Sequence, residues 1–152
     1  MRIFIMRHAE AEMMAQSDKA RQLTARGRQQ SLSQGEWLKS IIPDFDKIIS
    51  STYTRAIATF EQINLVYNQK LAEKLEIWDG VTPYGNPEQV SDYLAVLSDQ
   101  NIQNVLLISH LPLVGEIIAE LCGKNPISFY PSTIAEVEWD TETGKIIQSH
   151  SC

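Results

Sequence analysis

Apolar positions recur along the chain with two different periods, and the two periods alternate. Arg2 to Met6 (RIFIM) is a short β-branched run that predicts a strand, and a polar stretch follows it as far as Leu23. Thr24 is placed to cap a helix running to about Ile42, with Pro43 closing it. KIISS (47–51) predicts the next strand, and a helix is expected from about Tyr53 to Asn68 with Ala56, Phe60, Ile63 and Tyr67 on one face. LEIW (75–78) predicts a shorter strand leading into a loop punctuated by Pro83, Gly85 and Pro87. Asn86 and Pro87 suit the N-cap and first position of a helix whose buried face is Val90, Tyr93, Leu94 and Leu97. NVLLIS (104–109) is a near-continuous apolar run of the kind seen in parallel strands buried on both faces. Val114, Ile117, Ile118 and Leu121 repeat the helical spacing, and Gly123 sits where a left-handed C-cap belongs. After that the period changes. Ala135, Val137 and Trp139 alternate with Glu136 and Glu138, the turn Thr141 to Gly144 follows, and Lys145 to Gln148 is expected to pair back as a hairpin.

Strands alternating with helices imply βαβ crossovers and a mainly parallel sheet covered on both sides. The expected fold is therefore a three-layer α/β/α sandwich with an antiparallel edge hairpin. The 152 residues suit one domain, 1–152, with no repeat, low-complexity tract or linker.

Composition narrows the function. Thirteen Lys and Arg against nineteen Asp and Glu give a formal charge of −6, which argues against nucleic acid as a partner. The opening apolar run is too short for a signal peptide or a membrane span. Cys122 and Cys152 lack metal-like spacing and read as reduced thiols, so a cytoplasmic protein is expected; no membrane partner is expected either, and the chain is taken as a monomer.

Open α/β sheets bind ligands at the carboxyl ends of their strands. The first strand ends into Arg7 and His8, the second into Ser51, Thr52 and then Arg55, and the strand at 104–109 into His110. Two arginines and two histidines thus converge on one sheet edge. A metal site is a poor fit, because no H-x-H or H-E-x-x-H spacing is present and the arginines would repel a divalent cation. A phosphate dianion suits the set, since arginine forks match its oxygens and keep their charge. At ~4 Å and an effective dielectric of ~20, one such charge pair interacts by about 4 kcal/mol before desolvation, so local attraction can outweigh the net negative charge. Helix starts near Thr52 and Pro112 could add backbone N–H groups. The same arginines disfavour imidazolium, which leaves His8 neutral and nucleophilic, and His110 is placed to stabilise charge on a transferring phosphoryl group. The chemistry needs no metal and no cofactor.

On these residues the chain resembles the histidine phosphatase (phosphoglycerate mutase-like) superfamily, and within it the SixA phosphohistidine phosphatases. The resemblance is carried by FIMRHA (4–9), SDKARQLTARG (17–27), VTPYG (81–85) and ISHLPLVGEIIAELC (108–122), and runs from residue 2 to about 140. It implies that His8 is the transiently phosphorylated nucleophile, that Arg7 and Arg55 bind the phosphoryl group with His110 completing the pocket, and that Arg21 lies near the phosphate. It implies as substrate a phosphohistidine-bearing protein such as a histidine phosphotransfer domain. Two positions depart from the family pattern. Ala9 replaces the glycine of the RHG motif, so a backbone conformation open to a small side chain is expected there, and Ser51-Thr52 replaces Ser-Pro. Glu76 and Asp79 lie where larger members keep a proton-donating acid, and the sequence singles out neither. An imidazole leaving group needs such an acid less than an alkoxide does.

The other polar and aromatic residues read more plainly. Trp37, Trp78 and Trp139 are expected to pack, His150 to be solvated, and Glu10 and Glu12 either to face solvent or to orient Arg7. A small-molecule phosphatase on the same fold and a non-catalytic phosphohistidine-binding module remain as alternative functions.

Overall fold

The computed structural model describes residues 1–152. Six strands and four helices follow in the order β1 (Arg2–Arg7), α1 (Ala25–Ile41), β2 (Lys47–Ser50), α2 (Thr54–Val66), β3 (Leu75–Ile77), α3 (Pro87–Asp99), β4 (Asn104–Ser109), α4 (Leu113–Cys122), β5 (Ile134–Trp139) and β6 (Gly144–His150). The strands form one sheet in the order β3-β2-β4-β1-β5-β6. β1, β2, β3 and β4 are mutually parallel, while β5 and β6 add the expected antiparallel edge.

The period-2 alternation of the central strands sorts their side chains into two cores. Ile3, Ile5, Ile49, Val105 and Leu107 face one side of the sheet and meet Val90, Leu94 and Leu97 of α3 and Val114, Ile117 and Leu121 of α4. Phe4, Met6, Ile48, Leu106 and Ile108 face the other side and meet Leu38 of α1 and Ala56, Phe60 and Ile63 of α2. Because both faces are covered, β1 and β4 hold four and five fully interior positions in succession, which explains why they read as unbroken apolar runs.

Local chemistry sets the helix ends. Thr24 Oγ1 accepts the Gly27 N–H at 2.9 Å and starts α1. Asn86 Oδ1 accepts the Glu88 N–H at 2.8 Å, with Pro87 at the first helical position of α3. Gly123 closes α4 at φ 87°. α2 stops at Val66, sooner than its apolar face suggests, because Asn68 and Gln69 take positive φ values of 56° and 61°. β6 runs on to His150, beyond the sequence expectation. His150 is accordingly not a solvated tail residue: its Nδ1 meets Gln34 Oε1 at 2.6 Å, and its ring stacks on Trp37 at 4.4 Å. No helix is long and apolar enough to cross a membrane.

Candidate active site

The carboxyl ends of β1, β2 and β4 open on a surface cleft of about 290 Å³ lined by Arg7, His8, Arg21, Arg55 and His110. All five residues singled out in the sequence therefore meet in one place. Asp18, Glu10, Pro83, Leu111 and Pro131 complete most of its wall.

His8 is the first residue beyond β1 and is 7% exposed. Its Nδ1–H donates to the Ala9 carbonyl at 2.7 Å, which leaves Nε2 unprotonated, and Arg55 Nε donates to that Nε2 at 3.2 Å. The ring is thus held in the tautomer whose lone pair is on Nε2, where it accepts from Arg55. Burial is the main force holding the His8 pKa down, to about 4. The bond to Ala9 partly opposes it, while the charges of Arg55, Arg7 and Arg21 add to it. Ala9 does not take a positive φ, so the loss of the family's glycine causes no backbone strain. Its N–H donates to Thr59 Oγ1 at 3.0 Å, which ties the loop after β1 to α2.

Arg55 is the second residue of α2 and is buried. Besides His8 it holds Asp18 twice, through Nη1 to the carbonyl at 2.8 Å and Nη2 to Oδ2 at 3.3 Å. Arg21 Nε donates to the other carboxylate oxygen of Asp18 at 3.0 Å, and its Nη1 to the Glu12 carbonyl at 3.1 Å. Asp18 therefore braces both guanidiniums, and they hold its carboxyl below the usual range against the opposing effect of desolvation. Arg7 Nη1 donates to the Phe129 carbonyl at 3.0 Å, and its Nε is buried with no partner. Neither Glu10 nor Glu12 orients Arg7. Glu10 instead accepts from Thr24 Oγ1 at 3.0 Å.

His110 follows β4 and is almost fully buried, its ring centroid 5.0 Å from that of His8. Its Nε2 lies 2.8 Å from Ser51 Oγ, which also accepts the Tyr53 N–H at 3.1 Å. The Ser51 hydroxyl hydrogen has no other acceptor, so it points at Nε2 and leaves the proton of His110 on Nδ1. That Nδ1 is buried without a protein partner. Burial first, then the charge of His8 and those of the arginines, lowers the pKa of His110 further than that of His8. Tyr53 fills in between, with its ring 5.1 Å from that of His110 and the Arg55 guanidinium carbon 5.0 Å from its centroid.

Neither acid suggested by the sequence lines the cleft. Glu76 is engaged elsewhere, accepting from Lys47 Nζ at 2.9 Å and from the Tyr93 hydroxyl. Sequence reasoning missed Asp18 and Tyr53. Asp18 did carry a signal, the Asp-x-x-Arg spacing with Arg21 behind a Ser17 cap, but it lies in a stretch with no periodicity.

Two neutral imidazoles and three permanently charged guanidiniums thus line one cleft, an arrangement suited to holding a phosphoryl group and offering it a nitrogen nucleophile. The chain belongs to the histidine phosphatase superfamily, branch 1, which it matches over residues 3–104. It is 54% identical to the phosphohistidine phosphatase SixA homolog of Haemophilus influenzae, covering 97% of this chain and 93% of that protein. It is 40% identical to phosphohistidine phosphatase SixA of Escherichia coli, covering 92% and 86% respectively. The solved structure of the protein histidine phosphatase SixA complexed with tungstate superposes with a TM-score of 0.94 at 37% identity, covering 99% of this chain and 97% of that one.

Proposed function

We propose that this protein removes phosphate from phosphohistidine on another protein, such as a histidine phosphotransfer domain of a phosphorelay. The observation that carries the reading is His8: a buried imidazole with its proton fixed on Nδ1 by Ala9 and its Nε2 lone pair beside three arginines. The names of the SixA relatives, and the oxyanion tungstate in one of their structures, support it.

In the first step Nε2 of His8 attacks the phosphorus of the incoming phosphohistidine. A new N–P bond forms, the old one breaks, and the departing imidazole takes a proton from water. Arg7, Arg21 and Arg55 hold the phosphoryl oxygens, and His110 donates from Nδ1 as negative charge redistributes over them. Exchange between two imidazoles is close to symmetrical in energy, which suits a cleft with no free acid. Water then attacks the phosphorus of phospho-His8, the N–P bond breaks, inorganic phosphate leaves, and the water's surplus proton passes to solvent. The reading takes residues 1–152 as one domain acting as a monomer, and its free Cys122 and Cys152 suit the cytoplasm.

The test is brief incubation with a phosphohistidine protein followed by intact-mass measurement. Wild type should carry a transient acid-labile phosphate and release phosphate, and His8→Ala should do neither. Equal turnover by the variant would remove His8 as nucleophile. Binding without release by wild type would indicate a phosphohistidine-binding module.

A further inference from the structure

Four segments border the sheet edge around the cleft, and they carry five exposed large apolar side chains, among them the four most exposed in the chain. Met13, Met14 and Tyr84 are 87%, 86% and 85% exposed, with Tyr130 at 64% and Leu111 at 45%. Leu111 lines the cleft directly, and Tyr84 and Tyr130 each adjoin a proline that does, Pro83 and Pro131. Met13 lines a smaller depression that shares Asp18 and Arg21 with the cleft. The other exposed large apolar residues, Leu65, Ile77, Val96 and Ile147, stand singly on α2, β3, α3 and β6. Apolar side chains scattered in this way are ordinary, whereas a ring of them around one cationic cleft is not. Methionine and tyrosine are also the types enriched at the centres of protein interfaces, where Met adapts its shape and Tyr offers a large, stiff surface.

We propose that this rim is a docking surface for a folded protein whose phosphohistidine protrudes from a convex face with apolar neighbours. The proposal rests on the function given above and adds what the partner must look like around the reacting group. Continuity sets the geometry: a phosphoryl group must enter the cleft to reach His8, so the surface that carries it meets Leu111 in the lining and comes up to the neighbouring Met13, Tyr84 and Tyr130. Charge complementarity divides the recognition. Arg7, Arg21 and Arg55 match the phosphoryl group, and the five rim side chains are uncharged, so they match apolar flanks. A small phosphorylated metabolite would fill the cleft and leave the rim in water. Five such side chains offer on the order of 500 Å², more than half of the ~800 Å² that each partner contributes to a standard interface, which suits a transient complex.

The experiment compares wild type with a Met13→Ser/Tyr84→Ser/Tyr130→Ser variant, all three sites being exposed and outside the catalytic set. It measures kcat/KM on a phosphorylated histidine phosphotransfer protein and inhibition by inorganic phosphate. The expected result is a roughly tenfold to hundredfold loss on the protein, mainly through KM, with the phosphate inhibition constant unchanged within twofold. An unchanged kcat/KM on the protein, or an equal loss in phosphate binding, overturns the docking surface. So does a concentration-dependent dimer of wild type that the variant abolishes, which would assign the rim to a second copy of the chain. Wild type that binds phosphate yet releases none from the protein fails the functional reading itself and takes the docking proposal with it, a different result from the first two.

Discussion

At the scale of single residues, the site depends on which nitrogen carries each proton. His8 has a pKa of about 4 in the folded chain against an ordinary 6.5, so between those values the unfolded chain takes up a proton that the folded chain refuses. Its contribution to stability is therefore intact above about pH 6.5 and is lost as pH falls toward 4, by about 3 kcal/mol in all. The same shift keeps the His8 ring neutral in mildly acidic solution, as the proposed nucleophilic role requires. The His8 ring resonances in a two-dimensional NMR titration should accordingly show a midpoint near 4, and a midpoint above 6 would mean that the ring is not held as described. His110 depends in turn on Ser51, whose hydroxyl fixes the tautomer that leaves Nδ1 as donor. Ser51→Ala should cost about one hydrogen bond, roughly tenfold in kcat, and ¹⁵N shifts of His110 should reveal mixed tautomers. Activity loss without that spectral change would place the role of Ser51 in packing instead. Arg7, His8 and His110 were legible in the sequence because each stands at the end of an apolar run, and Arg55 because it opens the helix that follows another, where the fold class itself marks the ligand edge. Asp18 and Tyr53 were not, because their importance lies in contacts with Arg55 and His110 that only folding creates.

At the scale of elements, the cleft depends on how α1 is seated. The Thr24 N–H donates to the Glu10 carbonyl at 3.0 Å, so the start of α1 is fastened to the loop that follows His8. Gly27 permits that approach, since a Cβ on it would lie 2.0 Å from the Glu10 carbonyl oxygen. The residue fits a helix start in the sequence, but the reason it must be glycine is a neighbour seventeen positions away and could not be read there. Gly27→Ala should force the loop and the helix apart at about 1–3 kcal/mol, lowering the melting temperature by about 2–4 °C for each kcal/mol. Because the displaced loop begins two residues after His8, kcat/KM should fall in the same variant. A scanning calorimetry trace matching wild type would show that the loop can move without penalty. The helix and strand cores were legible for the opposite reason. Their periods are local, and the structure departs from them only at ends such as Asn68 and Gln69, where positive φ breaks α2.

At the scale of the whole molecule, strand order was the part least available to sequence reasoning. Placing β4 between β1 and β2 brings His110 beside His8, and that choice rests on long-range pairing such as Met6 opposite Ile108, which no local pattern encodes. The same scale sets a conflict in charge. Thirteen basic against nineteen acidic residues would make the molecule repel an acidic phosphoprotein at a distance, whereas under the proposed function Arg7, Arg21 and Arg55 attract its phosphoryl group at contact. Salt separates the two, because the Debye length falls from ~10 Å at 0.1 M to ~3 Å at 1 M. The long-range repulsion acts through solvent and is screened fully, while the attraction acts partly through protein and is screened less. Raising ionic strength from low to moderate salt should thus increase kcat/KM on an acidic phosphoprotein while weakening inhibition by inorganic phosphate, which lacks the far-field repulsion of a large partner. Steady-state rates and phosphate inhibition measured across the same salt series provide the check. If both instead decline together, the arginines dominate at every distance, and the negative net charge has no bearing on encounter.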